Sequence, residues 1–239
     1  MWSKKKKITL GVTACVLVVV LVMFSTLGIW GIRSCKEQKE RKEQVQAYHD
    51  AKFALYEEEN EKYADFEVDV AFFGDSLTDL YDLTKYYPQY VTANRGIGGN
   101  TTFDLEKRMQ ISVYDLKPKV VVMLIGANNP NTMFENYENL LIGLQKNLPQ
   151  TKVVLLSMTA MGGEHWGVWN ETATLNNVKI ELYAKKYGFT FVDLFTPLFD
   201  ISIGEVYADY TIDGGHFTPK GYEVITSIIT PVLHDLLGY

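Results

Sequence analysis

Apolar runs alternate with amphipathic stretches along most of the chain, and this alternation predicts an α/β fold. Short apolar runs typical of buried strands occur at residues 68–73, 91–94, 120–125, 153–157 and 189–194. Helical patterns lie between and after them, near residues 101–113, 134–147, 171–187 and 219–237. Repeated β-α units in one sheet require right-handed crossovers and parallel strands. We therefore expect a three-layer α/β/α sandwich with a five-stranded parallel sheet.

A longer apolar run near the N-terminus stands apart from this pattern. Residues 8–32 are 25 consecutive positions without a charged side chain, which is long enough to cross a bilayer. Lysines within a short basic N-terminus, residues 1–7, favour a cytoplasmic start, although basic residues between 33 and 42 crowd the other flank. We expect an uncleaved single-pass membrane anchor at 8–32 with an extracytoplasmic remainder; secretion after signal-peptide cleavage is the alternative.

A polar segment connects the apolar run to the first predicted strand. Residues 33–66 are rich in Glu, Lys, Gln and Ala, and Tyr56 and Tyr63 recur at helical spacing. Opposite charges four residues apart suit a solvated helix rather than a binding surface. We expect a helical stalk that serves as a spacer, followed by one globular domain at 67–239.

Charge and cysteine content exclude several functions for the globular part. The net charge is −6, and from residue 70 onward 12 Lys and Arg face 18 Asp and Glu, so the whole excess lies there. Such a domain lacks the excess of positive charge that nucleic-acid binding requires. Both cysteines, Cys15 and Cys35, precede it, which excludes a disulfide framework and a thiol nucleophile. Metal-ligand spacings and phosphate loops are absent from the sequence, so we expect no metal and no cofactor.

A serine directly follows the first predicted strand, where ligands bind in parallel sheets. The motif Gly-Asp-Ser-Leu occupies residues 74–77 and leads into a helical stretch. At such a turn the hydroxyl of Ser76 and the nearby backbone N–H groups both point outward, which suits a nucleophile. The alternative is that Ser76 only caps the helix.

Two further motifs supply hydrogen-bond donors at the same edge of the sheet. A glycine-rich turn at 94–102 follows the second strand, and its backbone amides can approach an oxyanion closely. A dinucleotide fingerprint is the competing interpretation, but Thr101 replaces its third glycine. Gly-Ala-Asn-Asn at 126–129 follows the third strand, and Asn128 can donate a hydrogen bond without titrating. An ordinary polar loop is the alternative there.

A carboxylate and an imidazole share one short loop before the last helix. The motif is Asp-Gly-Gly-His at 213–216. Asp213 could hold His216 in the tautomer that accepts the Ser76 proton. The other histidines lie in the stalk, in a loop after the fourth strand and in the last helix, and none has a carboxylate so placed.

The loop at 161–170 follows the fourth strand and lies at the same sheet edge. It contains His165 and Trp166, which we expect to line the acyl or alcohol pocket. Local packing of these side chains on a surface loop is the alternative.

Together the four motifs resemble those of the SGNH (GDSL) hydrolases, which are serine esterases and lipases of flavodoxin-like fold. The resemblance covers about residues 67–239, and the glycine-rich turn is most similar to the branch containing the platelet-activating-factor acetylhydrolase catalytic subunits. That branch favours small acyl groups. The resemblance thus implies the same fold and a short-acyl preference.

The resemblance also implies roles for individual residues. Ser76 matches the nucleophile, and Asp213 and His216 match the acid and the base. The oxyanion donors would be the Ser76 amide, Gly99 and Asn128. One position departs from the family pattern, because Asn129 stands where the family usually has Asp, which puts the geometry of that loop in question.

We therefore expect a membrane-tethered serine esterase that hydrolyses carboxylic esters, with short acyl groups such as acetyl, on cell-envelope glycans. The alternatives within enzymes are a lysophospholipase, a thioesterase or an acyltransferase, which share the same acyl-enzyme. A non-catalytic surface binding module is the alternative of another class. The expected partners are an ester substrate and the membrane, without nucleic acid, and the oligomeric state is open.

Overall fold

The computed structural model describes residues 35–239. The predicted basic N-terminus and the anchor at 8–32 lie outside these residues, so both stay predictions. Among the helices of residues 35–239, none combines the length and the apolar character needed to cross a bilayer. The chain divides into two compact units at the boundary between Ala51 and Lys52.

A five-stranded parallel sheet forms the centre of the second unit, as the sequence predicts. Its strands follow the spatial order β2-β1-β3-β4-β5. Their bounds are β1 Val70–Gly74, β2 Thr92–Gly96, β3 Val120–Leu124, β4 Lys152–Leu156 and β5 Thr190–Val192. In register, Gly74 of β1 lies opposite Gly96 of β2 and Leu124 of β3, so these three strands end level with one another.

The helices run before, between and after the strands. A first helix, α1, covers residues 35–62. The others are α2 Ser76–Asp79, α3 Leu83–Tyr86, α4 Thr102–Lys107, α5 Tyr137–Asn147, α6 Gly163–Trp166, α7 Asn170–Tyr187, α8 Phe195–Leu198 and α9 Pro219–Leu237. The helix predicted at 101–113 is divided: α4 ends at Lys107, the buried Arg108 follows, and a π-helix covers Gln110–Tyr114. A short antiparallel hairpin of β6 Phe199–Asp200 and β7 Glu205–Val206 was not predicted.

Side chains of the sheet alternate between two apolar layers. Phe72 and Val122 pack with residues of α9 on one face. Phe73 and Met123 pack with residues of α5 and α7 on the other. Each fully buried aliphatic or aromatic side chain contributes about 1.5–3 kcal/mol, so both faces stabilise the sheet. The three-layer α/β/α architecture is thereby confirmed.

The two units contain different parts of α1. Residues 35–51, in the first unit, are exposed except for a half-buried His49, and their role as a spacer stays a prediction. From Lys52 onward α1 belongs to the second unit, and Tyr56 is fully buried there, with its hydroxyl donating to the Gly96 carbonyl at 2.8 Å. This part of α1 is therefore packed into the fold, because an aromatic ring at helical spacing covers the sheet edge.

Candidate active site

Ser76 opens α2 immediately after β1, at the carboxyl edge of the sheet. The cap of this helix is Asp75, whose Oδ1 accepts a hydrogen bond from the Leu77 N–H at 3.0 Å. The Ser76 hydroxyl is thus not used as a cap and is available for other contacts. The structure therefore assigns the capping role, which the sequence left open for Ser76, to its neighbour.

The structure brings Ser76, His216 and Asp213 together in one hydrogen-bonded chain. His216 Nε2 lies 3.1 Å from Ser76 Oγ, and His216 Nδ1 lies 2.8 Å from Asp213 Oδ2. Ser76 and His216 are 140 residues apart in sequence. The fold therefore places an imidazole between a hydroxyl and a carboxylate, which is the arrangement that activates a serine.

The loop around Asp213 holds its carboxylate ionised. Oδ1 accepts hydrogen bonds from the backbone N–H groups of Gly215 and His216, at 2.9 and 2.8 Å. Partial burial raises the pKa of Asp213, but the hydrogen bonds from the His216 ring and from these two N–H groups outweigh it and lower the pKa to about 2. The carboxylate is consequently negative at neutral pH and accepts a hydrogen bond from a protonated Nδ1 of His216.

Gly214 fastens this loop to the segment that follows β4. Its φ of 87° lies in the left-handed region, and a Cβ there would approach the Gly162 carbonyl oxygen to 2.0 Å. The Gly162 N–H donates to the Gly214 carbonyl at 2.8 Å. Only glycine satisfies both requirements, so the Asp213 and His216 loop is anchored on the 161–170 segment.

The predicted oxyanion donors lie in the loops that follow the two strands flanking β1. Gly99 follows β2, and its φ of 76° requires the left-handed conformation. Asn128 follows β3, and its Nδ2 donates to the Asn100 carbonyl at 3.0 Å, which orients the amide and leaves it a second N–H. Because β1 lies between β2 and β3, Ser76 is flanked by one donor segment on each side.

Arg108 connects the glycine-rich turn and the end of β2 to the end of β1, and sequence reasoning missed it. Its Nε donates to Asn100 Oδ1 at 2.8 Å, and its two terminal nitrogens donate to the carbonyls of Arg95 at 3.0 Å and Gly74 at 2.7 Å. Burial lowers its pKa to about 10, so the guanidinium remains charged at neutral pH. An arginine inside a helical pattern is expected to be exposed to solvent, and nothing in the neighbouring sequence indicates that Arg108 is buried.

Asn129 adds a second link between the donor segments. Its Oδ1 accepts from the Thr102 N–H at 3.3 Å, and its Nδ2 donates to Thr102 Oγ1 at 3.0 Å. Thr102 Oγ1 donates onward to Asn136, which donates to Glu106. An amide supplies both an acceptor and a donor, so Asn129 ties this loop to α4 although the family usually has Asp at the position.

Trp166 lies beside His216, whereas His165 lies one layer further out. The Trp166 and His216 rings have centroids 6.2 Å apart and are nearly perpendicular. The His165 ring packs edge-on against Trp166 at 4.8 Å and is exposed. A Cβ on Gly215 would meet the Trp166 ring at 2.7 Å, so the indole closes against this loop. Of the two predicted pocket residues, Trp166 therefore borders the hydrogen-bonded chain.

Asp75 is a buried carboxyl directly before the serine, and no pattern in the sequence marks it as a residue of the site. Its Oδ2 is buried and has no hydrogen-bond partner within residues 35–239. Burial raises its pKa to about 6, although the hydrogen bond from the Leu77 N–H and electrostatic interactions with His216 and Arg108 lower it. Within the same residues no group of His, Cys, Asp and Glu is arranged to hold a metal ion.

Comparison with known proteins identifies the family. The model of the GDSL-like Lipase/Acylhydrolase family matches residues 72–224. The rat platelet-activating factor acetylhydrolase IB subunit alpha2 is 27% identical over 188 residues, covering 72% of this chain and 79% of its own. A GDSL-like lipase from Bacteroides thetaiotaomicron has a TM-score of 0.67 at 25% identity, covering 77% of this chain and 97% of that one.

A more distant likeness concerns the fold alone. An acetyl xylan esterase from Geobacillus stearothermophilus has a TM-score of 0.58 at 20% identity, covering 71% of this chain and 95% of that one. The family match spans more than half of the chain and includes Ser76 and His216. The chain therefore belongs to the GDSL-like lipase/acylhydrolase family and is an enzyme that hydrolyses ester bonds.

Proposed function

We propose that the protein is a serine esterase in which Ser76 is the nucleophile, His216 the general base and Asp213 the residue that orients the base. The observation that carries this proposal is the continuous chain of hydrogen bonds from Asp213 Oδ2 through the imidazole to Ser76 Oγ. Both distances are within the range at which a proton passes between heavy atoms.

Acylation begins when Ser76 Oγ attacks the ester carbonyl carbon and His216 Nε2 takes the hydroxyl proton. The carbonyl oxygen becomes an oxyanion, which receives hydrogen bonds from the N–H groups of Ser76 and Gly99 and from the Asn128 side chain. The tetrahedral species collapses as the alcohol leaves with the proton from His216. An acyl group then remains on Ser76.

Deacylation repeats the same steps with water. His216 Nε2 takes a proton from the water molecule, whose oxygen attacks the acyl carbon. The same donors receive the oxyanion, and collapse returns the proton to Ser76 Oγ as the carboxylic acid departs. Each half-reaction returns the imidazole to its neutral form, so no cofactor is required.

The preferred acyl group in this proposal is short, with acetyl as the leading candidate. Trp166 packs beside His216 and against Gly215, which narrows one side of the site. The names of the rat relative and of the Geobacillus neighbour both specify an acetyl group. A small acyl group fits such a site, whereas a long chain requires Trp166 to move.

The proposed setting is the cell envelope, with an O-acetylated glycan as the substrate. The uncharged run at 8–32 would hold the enzyme at a membrane with its catalytic domain outside the cytoplasm. An esterase joined to such an anchor by a polar segment could reach a substrate close to the membrane surface. An acetylated phospholipid is the alternative substrate, and the experiment below distinguishes it from a glycan.

The test measures hydrolysis of p-nitrophenyl acetate, butyrate and octanoate by the full-length protein in a non-ionic detergent. Ser76→Ala is measured alongside, with Ser202→Ala as a matched control because Ser202 is exposed on the β6–β7 turn. We expect turnover that favours acetate, is lost in Ser76→Ala and is retained in Ser202→Ala. Full activity in Ser76→Ala would rule out the assignment.

Substrate class is then resolved by acetate release. O-acetylated xylan and O-acetylated peptidoglycan represent envelope or plant glycans, and an acetylated ether phospholipid represents a lipid substrate. Release from a glycan with little release from the phospholipid supports the glycan assignment. The reverse preference replaces it with a lipid esterase while leaving the serine mechanism intact.

A further inference from the structure

The part of α1 from Lys52 onward lies against the segment that carries the oxyanion donor Gly99. Lys52, Tyr56, Glu59 and Asn60 contact the domain, and their spacing of four, three and one residues places them on one helical face. Exposed residues such as Glu57 and Glu58 occupy the opposite face. This half of α1 thus has one docked face and one solvated face.

Arg95 holds the centre of this docked face. Its side chain is fully buried, with the guanidinium 4.5 Å from the centre of the Tyr56 ring. It forms an ion pair with Glu59 and donates to Asn60 Oδ1 at 3.0 Å. A buried guanidinium needs such partners, because leaving its charge unpaired costs several kcal/mol. The helix is therefore fixed in position next to the end of β2.

The contacts that reach the glycine-rich turn come from the same face. Tyr56 donates to the carbonyl of Gly96, the last residue of β2. Lys52 forms an ion pair with Asp79 Oδ1, and Asp79 Oδ2 accepts the Gly98 N–H at 3.3 Å. Gly98 directly precedes Gly99. Asp79 therefore joins three parts of the molecule: α1, the helix that begins with Ser76, and the turn that carries the donor.

We propose that Lys52 and Asp79 are positioning residues that hold the Gly98–Gly99 turn in the geometry required for oxyanion binding. The inference rests on the proposed function, since Gly99 is an oxyanion donor only in that mechanism. Lys52 acts through Asp79 and does not touch the reacting atoms. The docked face of α1 on this basis supports the geometry of the site without taking part in the chemistry.

The burial of the pair explains why it can act in this way. The Lys52 side chain is 22% exposed and that of Asp79 is 14% exposed, so the pair is screened far less than an ion pair on the surface. Without Lys52, Asp79 is a largely buried carboxylate that has lost a counter-ion. Turning toward water then lowers the free energy of this carboxylate, which breaks its hydrogen bond from the Gly98 N–H.

Two substitutions in the full-length protein test the proposal. Lys52→Met removes the cation at the docked face, and Lys62→Met removes the same charge from an exposed position of the same helix. We expect Lys52→Met to lower kcat for p-nitrophenyl acetate by about tenfold, because a donor is misplaced rather than removed. KM should change little, and the melting temperature should fall because Asp79 has lost its counter-ion. Lys52→Arg should restore most of kcat, and Lys62→Met should match the wild type.

A double-mutant cycle shows whether Lys52 acts through Asp79. Asp79→Asn keeps an acceptor for the Gly98 N–H but removes the charge that Lys52 neutralises. If the two residues act as a unit, the double variant loses no more kcat than Lys52→Met alone. Additive losses would contradict the proposed connection.

Amide hydrogen exchange supplies a readout that does not depend on turnover. We expect exchange in the peptide covering 94–102 to be at least several-fold faster in Lys52→Met and unchanged in Lys62→Met. Unchanged exchange together with wild-type kcat in Lys52→Met overturns the inference. Failure of the proposed function looks different, because hydrolysis would then be absent from the wild type or retained in Ser76→Ala.

Discussion

Asp213 and His216 are joined by two hydrogen bonds, one from the ring and one from the backbone of the histidine. Asp213 Oδ2 lies 2.8 Å from His216 Nδ1, and Asp213 Oδ1 accepts the His216 backbone N–H at 2.8 Å. The second bond fixes the carboxylate relative to the chain, so the first can fix the ring. The three-residue spacing therefore determines both where the imidazole lies and which nitrogen faces Ser76.

Replacing this carboxylate by an amide is expected to reverse the imidazole tautomer. In Asp213→Asn the amide oxygen keeps the hydrogen bonds from the backbone N–H groups of Gly215 and His216, and the NH2 group then faces His216 Nδ1. Nδ1 must then accept a hydrogen bond, so the ring proton lies on Nε2. A protonated Nε2 can no longer take the hydroxyl proton from Ser76. We expect kcat for p-nitrophenyl acetate to fall by about a thousandfold or more, as in other serine triads.

The control for that substitution is Asp209→Asn. Asp209 is an exposed carboxylate near the same loop, paired with Lys220. The Asp209→Asn variant should retain wild-type turnover. Near-normal kcat in folded Asp213→Asn would show that this carboxylate does not orient the base.

Removal of the Asn128 side chain tests the oxyanion site. Asn128→Ala should lower kcat by about a hundredfold and leave KM nearly unchanged, because the donor acts on charge that develops in the transition state. Asn131→Ala is the matched control, since Asn131 is exposed in the same loop region. An equal loss in both variants would indicate a general disturbance of the loop instead.

Asp75 is expected to make folding stability depend on pH. Its pKa is about 6 in the folded state, above the ordinary value of 3.8, so the folded state binds the proton more tightly. Its contribution to stability is therefore present below about pH 4 and is lost as pH rises through about 6. A gap of about two pKa units corresponds to roughly 3 kcal/mol.

The measurement is the melting temperature of the wild type and of Asp75→Asn between pH 4 and pH 7. The amide cannot ionise, so the melting temperature of the variant relative to the wild type should rise across this range by roughly 5 °C or more. Any cost of the unpaired amide is the same at every pH and does not alter the slope. Asp235→Asn, an exposed change on α9, should show no such trend.

Trp166 is expected to limit the length of the acyl group. Trp166→Ala opens the side of the site next to His216, so the ratio of kcat/KM for octanoate to that for acetate should rise about tenfold, since apolar contacts are worth a few kcal/mol at most. Val168→Ala, at an exposed position of the same segment, is the control. An unchanged ratio in Trp166→Ala would place the acyl group elsewhere in the site.

The order of strands and helices and the residues of the candidate site could be predicted because they depend on local patterns. Apolar runs indicate strands, and the motifs containing Ser76, Gly99, Asn128, Asp213 and His216 lie just after strands or before the last helix. Since parallel strands end at one edge of a sheet, residues at their ends meet there. The rule covers Ser76, Gly99 and Asn128, whereas the place of His216 was predicted from the resemblance to the family, because its loop precedes α9 and follows no strand of the sheet.

Only the tertiary structure decided which polar residues are buried and what they hold. Arg108 and Arg95 look like solvated residues in the sequence, yet Arg108 joins the ends of β1 and β2, and Arg95 holds the later part of α1. The docking of α1 through Lys52 and Tyr56 likewise depends on partners far along the chain. Periodicity reports which face of a helix is apolar, whereas the burial of a charge depends on acceptors that distant segments bring to it.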